Sequence, residues 1–278
     1  MRLPISVIIL TYNESENIER CLKGIYNCMD EILIVDSYSA DTTLEIARRY
    51  TDKVYQHPFE NFAKQRNWAQ ENLSIKNEWV FHLDADEMIS EELISELGKI
   101  FSSKIDVDGF MMPRKTIFRG RWIRHGGHYP VYHLRLFKRD KGRCEDRLYD
   151  QHYIVNGMVK IIEGDIINII TSDLRLWRQR HKRWALLEAE EVLFSRLSDI
   201  NSKSTPIQRR RWVRYKIYYK IPLFIRPFIY FFYRYIIWLG FLDGWQGLIF
   251  HFWQGLWYRL LVDWNICKLE IGNVYPRH

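Results

Sequence analysis

The sequence predicts an α/β fold in which a doubly wound, mostly parallel sheet is followed by an appended helical region. Three continuous apolar runs, at residues 5–10, 32–35 and 79–83, are typical of strands covered on both faces. Amphipathic segments with helix-start signals separate these runs, which is the alternation expected of a doubly wound sheet. The composition then changes sharply after about residue 200, so we expect a second region there.

The individual elements follow in chain order. Strands are predicted at Ile5–Leu10, Ile32–Val35 and Trp79–Leu83. Asp41 is the predicted N-cap of a helix over residues 42–50, and Ser90, which two glutamates follow, begins another helix. Residues 109–170 are irregular, with glycines, prolines and short strand-like runs, whereas residues 174–198 return to a helical rhythm.

The charge is unevenly distributed. The net charge is +7, but residues 203–234 hold nine Lys or Arg and no acid, which leaves 32 basic against 34 acidic residues elsewhere. This predicts a surface-binding strip. The four cysteines form no C-x-x-C pair, which argues against a zinc site or disulfide framework and favours a reducing cytoplasm. The short N-terminal apolar run predicts a buried strand rather than a signal peptide.

Polar side chains follow each of the three predicted strands. They are Thr11, Asn13 and Glu14 after the first, Asp36, Ser37, Ser39 and Asp41 after the second, and Asp84, Asp86 and Glu87 after the third. In an open parallel sheet, ligands bind outside the carboxyl ends of the strands. The sequence therefore predicts a polar, acidic cleft at this edge.

The order of these motifs resembles the family 2 glycosyltransferases. In that family an apolar strand is followed by T-x-N-E, and a second apolar strand by V-D-x-x-S-x-D. Next come a helix that bears an R-N pair and an L-D-x-D motif. Here the corresponding segments are Ser6–Glu14, Ile32–Asp41, Lys64–Asn67 and Leu83–Asp86. The resemblance covers about the first 100 residues and implies a GT-A fold and an inverting, metal-dependent transfer of a hexose-type sugar from a nucleotide sugar.

The resemblance also implies roles for individual residues. Asp36 would bind the base, usually uracil, Asp84 would face the ribose, and Asp86 would hold Mn²⁺ or Mg²⁺ against the diphosphate. Carboxylate oxygens suit such hard cations, which take their other ligands from phosphate and water. The remaining nucleotide-sugar contacts are expected from Thr11, Asn13, Glu14, Lys64, Arg66 and Asn67.

An inverting transfer also needs a carboxylate to take the proton of the acceptor hydroxyl. The segment at residues 144–152 resembles the family position of this base and offers Glu145, Asp146 and Asp150. We favour Asp150, with Asp146 second. The alternative is that these acids only pair with Arg143 and Arg147 on a solvated loop.

The glycine loop at residues 124–130 and the strand at 134–137 resemble a membrane-associated subgroup that builds lipopolysaccharide core and polysaccharide. In that subgroup they lie by the acceptor site, so His128 and Arg135 are candidates for acceptor binding. A structural role for each is equally consistent with the sequence. A G-F-x-D-G-x-x-G segment at 240–247 also resembles this subgroup, which implies a lipid-linked glycan acceptor.

The C-terminal region is apolar from Ile221 to Leu242, long enough for a spanning helix. Arg226 and Arg234 oppose spanning, because an arginine at the bilayer centre costs about 2.5–3.5 kcal/mol. We therefore expect the region to bind at the interface of the inner membrane, on its cytoplasmic face, where its basic residues would contact anionic headgroups. A hydrophobic dimer interface is the alternative. The basic residues are Arg209, Arg210, Arg211, Arg214, Lys216 and Lys220.

These interpretations divide the chain at residue 200. Residues 1–200 would form the catalytic domain, with a nucleotide-sugar half at about 1–105 and an acceptor half at 106–200, and residues 201–278 the membrane-associating region. A non-enzymatic membrane or nucleic-acid-binding protein is the alternative, since aromatics among basic residues suit single strands, but it leaves the acidic cleft unexplained. A nucleotidyltransferase is disfavoured because no glycine-rich loop follows the first strand.

Overall fold

The computed structural model describes residues 2–147, 149–170, 174–195 and 206–271. It divides into two compact units. The first comprises Met1–Arg124, His128–Asp146 and Gln151–Thr171, and the second comprises His125–Gly127, Arg147–Asp150 and Ser172–His278. The boundary predicted at residue 200 lies outside the described residues.

The first half of the first unit alternates strands and helices, as the sequence predicts. Strands β1–β4 are adjacent in the order β3-β2-β1-β4, and all their pairings are parallel. The elements are β1 (Leu3–Thr11), α1 (Ile18–Ile25), β2 (Met29–Asp36), α2 (Thr43–Ala47), β3 (Val54–Gln56), α3 (Phe62–Asn72), β4 (Trp79–Asp84), β5 (Glu87–Ile89) and α4 (Glu91–Phe101).

The second half extends the sheet with mixed pairing. Its strands are β6 (Gly109–Phe118), β7 (Arg121–Ile123), β8 (Tyr132–Lys138), β9 (Gly142–Cys144), β10 (Tyr153–Val155), β11 (Val159–Ile161) and β12 (Ile166–Ile170). Strand β8 is antiparallel to both β4 and β6, and β12 is parallel to β6 and antiparallel to β5. Beyond β4 the sheet therefore contains both parallel and antiparallel pairs.

The sheet is covered on both faces, which explains why its strands are continuously apolar. Along β1, Val7 and Ile9 belong to one buried cluster, and Ile8, between them, belongs to another. Helix α1 buries a single stripe, Ile18, Cys21, Leu22 and Ile25. This spacing places the stripe on one side of a helix.

The two predicted helix starts have different outcomes. Ser90 is the N-cap of α4, and its side chain accepts a hydrogen bond from Leu93 N, as predicted. The N-cap of α2 is Thr42 rather than Asp41. The Asp41 carboxylate still accepts a hydrogen bond from Thr43 N at 3.0 Å, so it satisfies a free amide from one residue further out.

The described part of the second unit is largely helical. It contains α5 (Leu174–Ser195), α6 (Pro206–Lys216), α7 (Arg226–Phe232), α8 (Gly244–His251) and α9 (Tyr258–Ile271), with short 3₁₀ segments at Tyr218–Lys220 and Gly240–Asp243 and π-helical segments at Tyr233–Ile237 and Phe252–Trp257. Its core joins one face of α5 to one face of α9. None of the helices in these described residues combines the length and apolarity that a bilayer crossing requires.

Candidate active site

The carboxyl ends of three neighbouring strands lie side by side. Strand β1 is paired with β2 and β4, and the register sets Thr11 beside Asp36 and Leu10 beside Asp84. Because the strands are parallel, the residues that follow them emerge at the same edge of the sheet. Asp36 and Asp84 thus end the two strands that flank β1.

Asp36 is fully buried and holds the loop that follows β2. Its carboxylate accepts hydrogen bonds from Thr11 Oγ1 at 2.9 Å, from Ser39 N at 2.8 Å and from Ser39 Oγ at 2.5 Å. A buried carboxylate with three such donors is satisfied by the protein itself. Asp36 therefore holds the loop that follows β2 in place. Its contact with a base stays a prediction.

The loops after β1 and β2 are joined by hydrogen bonds. Asn13 donates its backbone N–H to Ser39 Oγ, and its side-chain oxygen accepts from Ala40 N. Glu14 N donates to Thr43 Oγ1 at 2.8 Å. Asn13 has a φ of 53°, which asparagine tolerates better than most residues. The predicted residues of these two loops are thus fixed relative to one another.

Helix α3 presents its predicted residues in different directions. Arg66 donates to Asp84 Oδ1 at 2.9 Å. Asn67 instead holds strand β9, because its amide donates to Cys144 O and accepts from Cys144 N. Lys64 is exposed and pairs with Glu60 at 2.5 Å. Of the three, only Arg66 reaches the strand ends in this structure.

Asp84, whose side chain is 32% exposed, lies in an ion cluster whose other members are largely buried. Arg66 and Arg135 bind its two carboxylate oxygens, and Arg135 also contacts Glu87 Oε1 at 3.2 Å. Burial alone would raise the pKa of Asp84, but the charges of Arg135 and Arg66 outweigh it and hold that pKa well below its ordinary value. The two arginines therefore favour the ionised form of Asp84.

Arg135 belongs to this ion cluster and not to an exposed acceptor-binding surface. Its side chain is 7% exposed. Of the two roles that the sequence left open for it, acceptor contact and structure, the structural one accounts for its contacts. His128, the other acceptor candidate, lies in the first unit, next to the glycines of the loop.

Asp86 differs from Asp84 in that no arginine among the described residues lies within ion-pair distance of it. Its Oδ2 accepts a hydrogen bond from Asn168 Nδ2 at 3.1 Å. Burial, followed by the charge of Asp84, raises the pKa of Asp86. A cation would favour the ionised form that this environment penalises, so the residue fits a metal ligand.

No group of three or more His, Cys, Asp or Glu gathers as a ready cation site within the described ranges. A cation bound through Asp86 would thus take most of its ligands from phosphate and water, which is how Mg²⁺ commonly binds with nucleotides. The residues present fit such a site.

The two candidate bases lie in different units. Asp146 is exposed and follows β9 in the first unit, whereas Asp150 belongs to the second. There Arg214 Nη1 donates to Asp150 Oδ2 at 3.0 Å, and Arg211 Nη2 donates to Asp150 O at 2.6 Å. Two arginines of α6 thus hold Asp150. The solvated-loop alternative instead paired the acids of this segment with Arg143 and Arg147.

Several residues of the site were not predicted. Glu87, although it follows Asp86, had no assigned role, yet it accepts from Asp84 N at 3.0 Å and pairs with Arg114. Asn168 lies 82 positions from Asp86. Gln65 is buried, and its side chain bonds His57. Only Glu87, within the D-x-D-E run, carried a local signal.

In the second unit, the C-terminal segment holds the glycine loop. Asp243 binds His125 through both carboxylate oxygens, one to the backbone N at 2.9 Å and one to Nδ1 at 2.6 Å. Gly126 donates to Trp238 O and accepts from Arg234 Nε. The two motifs that resemble the same subgroup, the glycine loop and the G-F-L-D-G segment, are therefore in direct contact.

The chain is similar to several known proteins. The model of the family described as glycosyl transferase family 2 matches residues 6–160. The lipopolysaccharide core biosynthesis glycosyltransferase LpsC of Rhizobium meliloti is 25% identical over 286 aligned positions, covering 100% of this chain and 94% of LpsC.

Two further similarities are partial or distant. An uncharacterized glycosyltransferase of Rickettsia bellii is 39% identical over 100 residues, which cover 36% of this chain and 33% of that protein. This match thus spans about a third of the relative's length. The mannosyltransferase PcManGT of Pyrobaculum calidifontis, solved with GDP-Man and Mn²⁺, aligns with a TM-score of 0.51 at 16% identity and covers 100% of this chain and 89% of that one. The last similarity concerns the fold alone.

Proposed function

The chain belongs to glycosyl transferase family 2, and from this premise we propose that it transfers a sugar from a nucleoside diphosphate donor, with UDP as the expected nucleotide, to a lipid-linked or lipopolysaccharide-type glycan. The transfer would invert the anomeric centre and take place at the cytoplasmic face of the inner membrane. The observation that carries the proposal is the register of β1 with β2 and β4, since it brings the polar residues after three strands to one edge.

The donor would lie along this edge. Thr11, Asn13 and Glu14 would line the nucleotide pocket together with Asp36, whose hydrogen bonds hold the loop at residues 37–39. Arg66 would bind the diphosphate, because its positive charge lies beside Asp84 at the strand ends. PcManGT was solved in complex with GDP-Man and Mn²⁺, which supports a nucleotide-sugar donor for this fold.

Asp86 would hold the divalent cation, Mn²⁺ or Mg²⁺. When bound, such an ion neutralises the charge that develops on the leaving diphosphate. Asn168 would orient the Asp86 carboxylate through its hydrogen bond at 3.1 Å. Arg66 and Arg135 keep the neighbouring Asp84 charged and paired, whereas Asp86 forms no ion pair with an arginine in the described part of the chain.

Asp150 would take the proton from the acceptor hydroxyl, with Asp146 as the alternative. Arg211 and Arg214 would fix the position of Asp150, because they bind its backbone oxygen and its carboxylate. A correctly placed base contributes on the order of 100-fold to 10,000-fold in rate. The acceptor class is supported by the match with LpsC, which covers the whole chain.

The transfer is tested by incubating the protein with a panel of UDP-sugars and GDP-sugars, membrane lipid extracts, and Mn²⁺, Mg²⁺ or a chelator. We expect sugar transfer that needs the cation and that falls on the order of 100-fold in Asp86→Ala. The matched control is Asp106→Ala, which removes an exposed carboxylate away from the strand ends. Transfer that is unchanged both by chelation and by Asp86→Ala would exclude the metal assignment.

The base and the stereochemistry need separate measurements. Asp150→Asn should lower kcat by at least about 100-fold while UDP affinity is retained. If Asp146→Asn has this effect instead, Asp146 is the base, and if neither does, the assignment of both is wrong. Retention of the donor's anomeric configuration in the product, read by NMR, would contradict an inverting transfer.

The nucleic-acid-binding alternative is not favoured. It depended on an outward basic strip, but Arg211 and Arg214 bind Asp150 and Arg226 binds Asp263. The strip therefore presents fewer cations to solvent than its sequence suggests.

A further inference from the structure

A large apolar surface covers one part of the second unit. Fifteen of the 28 exposed large apolar side chains in the described chain fall within residues 224–252. At about half exposure each, they present on the order of 1,000 Å² of apolar area, which exceeds the largest patches of typical soluble monomers. The fifteen are Phe224, Ile225, Phe228, Ile229, Phe232, Tyr233, Ile236, Ile237, Trp238, Leu239, Phe241, Leu242, Trp245, Leu248 and Phe252.

The charged side chains of this segment turn inward. Arg226 is 1% exposed and donates from Nε and Nη2 to Asp263 Oδ1. Arg234 donates to Gly126 O and to Tyr230 OH. Asp243 is also buried, on His125. The two arginines that opposed membrane burial in the sequence are therefore accommodated within the protein, and the outer face keeps its apolar character.

Exposed basic side chains directly precede this surface in the chain. Arg209, Lys216 and Lys220 are exposed on α6 and on the 3₁₀ segment that follows it. Arg211 and Arg214, expected from the sequence to meet lipid, instead bind Asp150, and the side chain of Arg210 lies outside the described residues. Residues 203–242 contain no acid, so the exposed charge here has one sign.

We propose that residues 224–252 form an in-plane binding surface for a bilayer that contains anionic phospholipid. Eight of these residues line an open apolar groove of about 850 Å³, which suits acyl chains. Trp238 and Trp245 would lie at the boundary between headgroups and hydrocarbon, and Lys216 and Lys220 would meet the phosphates. A face of this kind enters a bilayer by roughly 5–10 Å and does not cross it.

A lipid surface fits better than a second copy of the chain. A two-fold dimer sets the same surface against itself, and residues 203–242 bring no acid that could balance Lys216 and Lys220. An anionic bilayer supplies the opposite charge to these two lysines. The chemistry of the flanking residues therefore selects the lipid.

Flotation with vesicles tests this proposal without donor or acceptor, so its result does not depend on the transferase assignment. The full chain should float with phosphatidylcholine vesicles that contain phosphatidylglycerol, and less with phosphatidylcholine alone. The triple variant Phe228→Ser, Phe232→Ser and Ile237→Ser should reduce bound protein at least about 10-fold. Lys216→Glu with Lys220→Glu should remove the preference for phosphatidylglycerol.

The matched control is the triple variant Ile154→Ser, Met158→Ser and Ile161→Ser, which changes three exposed apolar residues of the first unit. It should float like the wild type. All changed side chains are exposed, and an unaltered Tm checks that each variant folds. Full flotation of the residue 228/232/237 variant would overturn the proposal. So would a wild-type dimer that this variant converts to monomer, since a second copy would then occupy the surface.

Discussion

Asp243 accepts two hydrogen bonds from His125, a residue 118 positions earlier in the chain. The carboxylate can only accept, so Nδ1 of the histidine carries the proton in this arrangement. Asp243 is buried, and these contacts fix the start of the glycine loop.

Replacing Asp243 should loosen the glycine loop. Asp243→Ala removes the acceptor of His125 N, and leaving buried donors unsatisfied costs about 1–3 kcal/mol. Hydrogen exchange should therefore accelerate at the His125 and Gly126 amides. The control is Asp263→Asn, which disturbs the Arg226 pair in the same unit and should lower Tm without faster exchange at residues 125–126. Equal exchange in wild type and Asp243→Ala would contradict the assigned contact.

Gly126→Ala should be more harmful than Gly120→Ala. Both glycines have a positive φ, 68° and 74°, so both substitutions introduce backbone strain of roughly 1 kcal/mol. A Cβ at Gly126 would also overlap the His251 ring, whereas a Cβ at Gly120 meets nothing within 4 Å. Thermal unfolding should show the larger loss for Gly126→Ala, by at least about 1 kcal/mol. A similar Tm for both variants would refute the close contact.

Acid should destabilise the protein partly through His251. Burial, followed by the charge of Arg234, lowers the pKa of His251 from 6.5 to about 4. The pKa of His251 is lower in the folded state than in the unfolded state. The stability that depends on a neutral His251 is therefore fully present above pH 6.5 and is lost as the pH falls towards 4. The loss is about 3 kcal/mol. Chemical denaturation across this range should give a flatter pH curve for His251→Gln.

His181 should also lower the stability of the protein in acid, because burial lowers its pKa to about 4. The double variant with His181→Gln should therefore have the flattest curve. A wild-type curve that is level between pH 6.5 and 4 would contradict both assignments.

Removing Arg135 should destabilise the first unit strongly. Arg135→Met leaves Asp84 with one arginine and Glu87 without its closest cation, and an uncompensated buried charge costs about 3–5 kcal/mol. Lys138→Met, on the same strand, breaks a partly exposed pair with Asp108 and should cost under about 1 kcal/mol. Urea unfolding compares the two. Equal losses would mean that the buried cluster is not energetically distinct.

Local sequence patterns were sufficient to predict the strand ends, because each apolar run and the polar residues that follow it are adjacent in the chain. Continuous apolarity predicted β1, β2 and β4, and their parallel pairing brought Thr11, Asp36 and Asp84 to one edge. Ser90 was identifiable as a cap because its partner, Leu93 N, lies three residues away.

Contacts over long sequence distances could not be predicted in this way. The hydrogen bond of Asn168 to Asp86 depends on β12 pairing with β5, and nothing in the local pattern indicates that pairing. Likewise, an arginine in a basic run looks solvated until the fold supplies a partner, as it does for Arg211 with Asp150. Charge patterning counts residues, whereas burial depends on tertiary structure.

The placement of His125–Gly127 and Arg147–Asp150 in the second unit has a consequence for biosynthesis. Their partners are made late, because Asp150 needs Arg211 and Arg214, and His125 needs Asp243. On a ribosome, strands β1–β4 can pair while these two short segments still lack their hydrogen bonds. The loops that carry Asp150 and the paired glycines would therefore take their final form only after the C-terminal helices emerge.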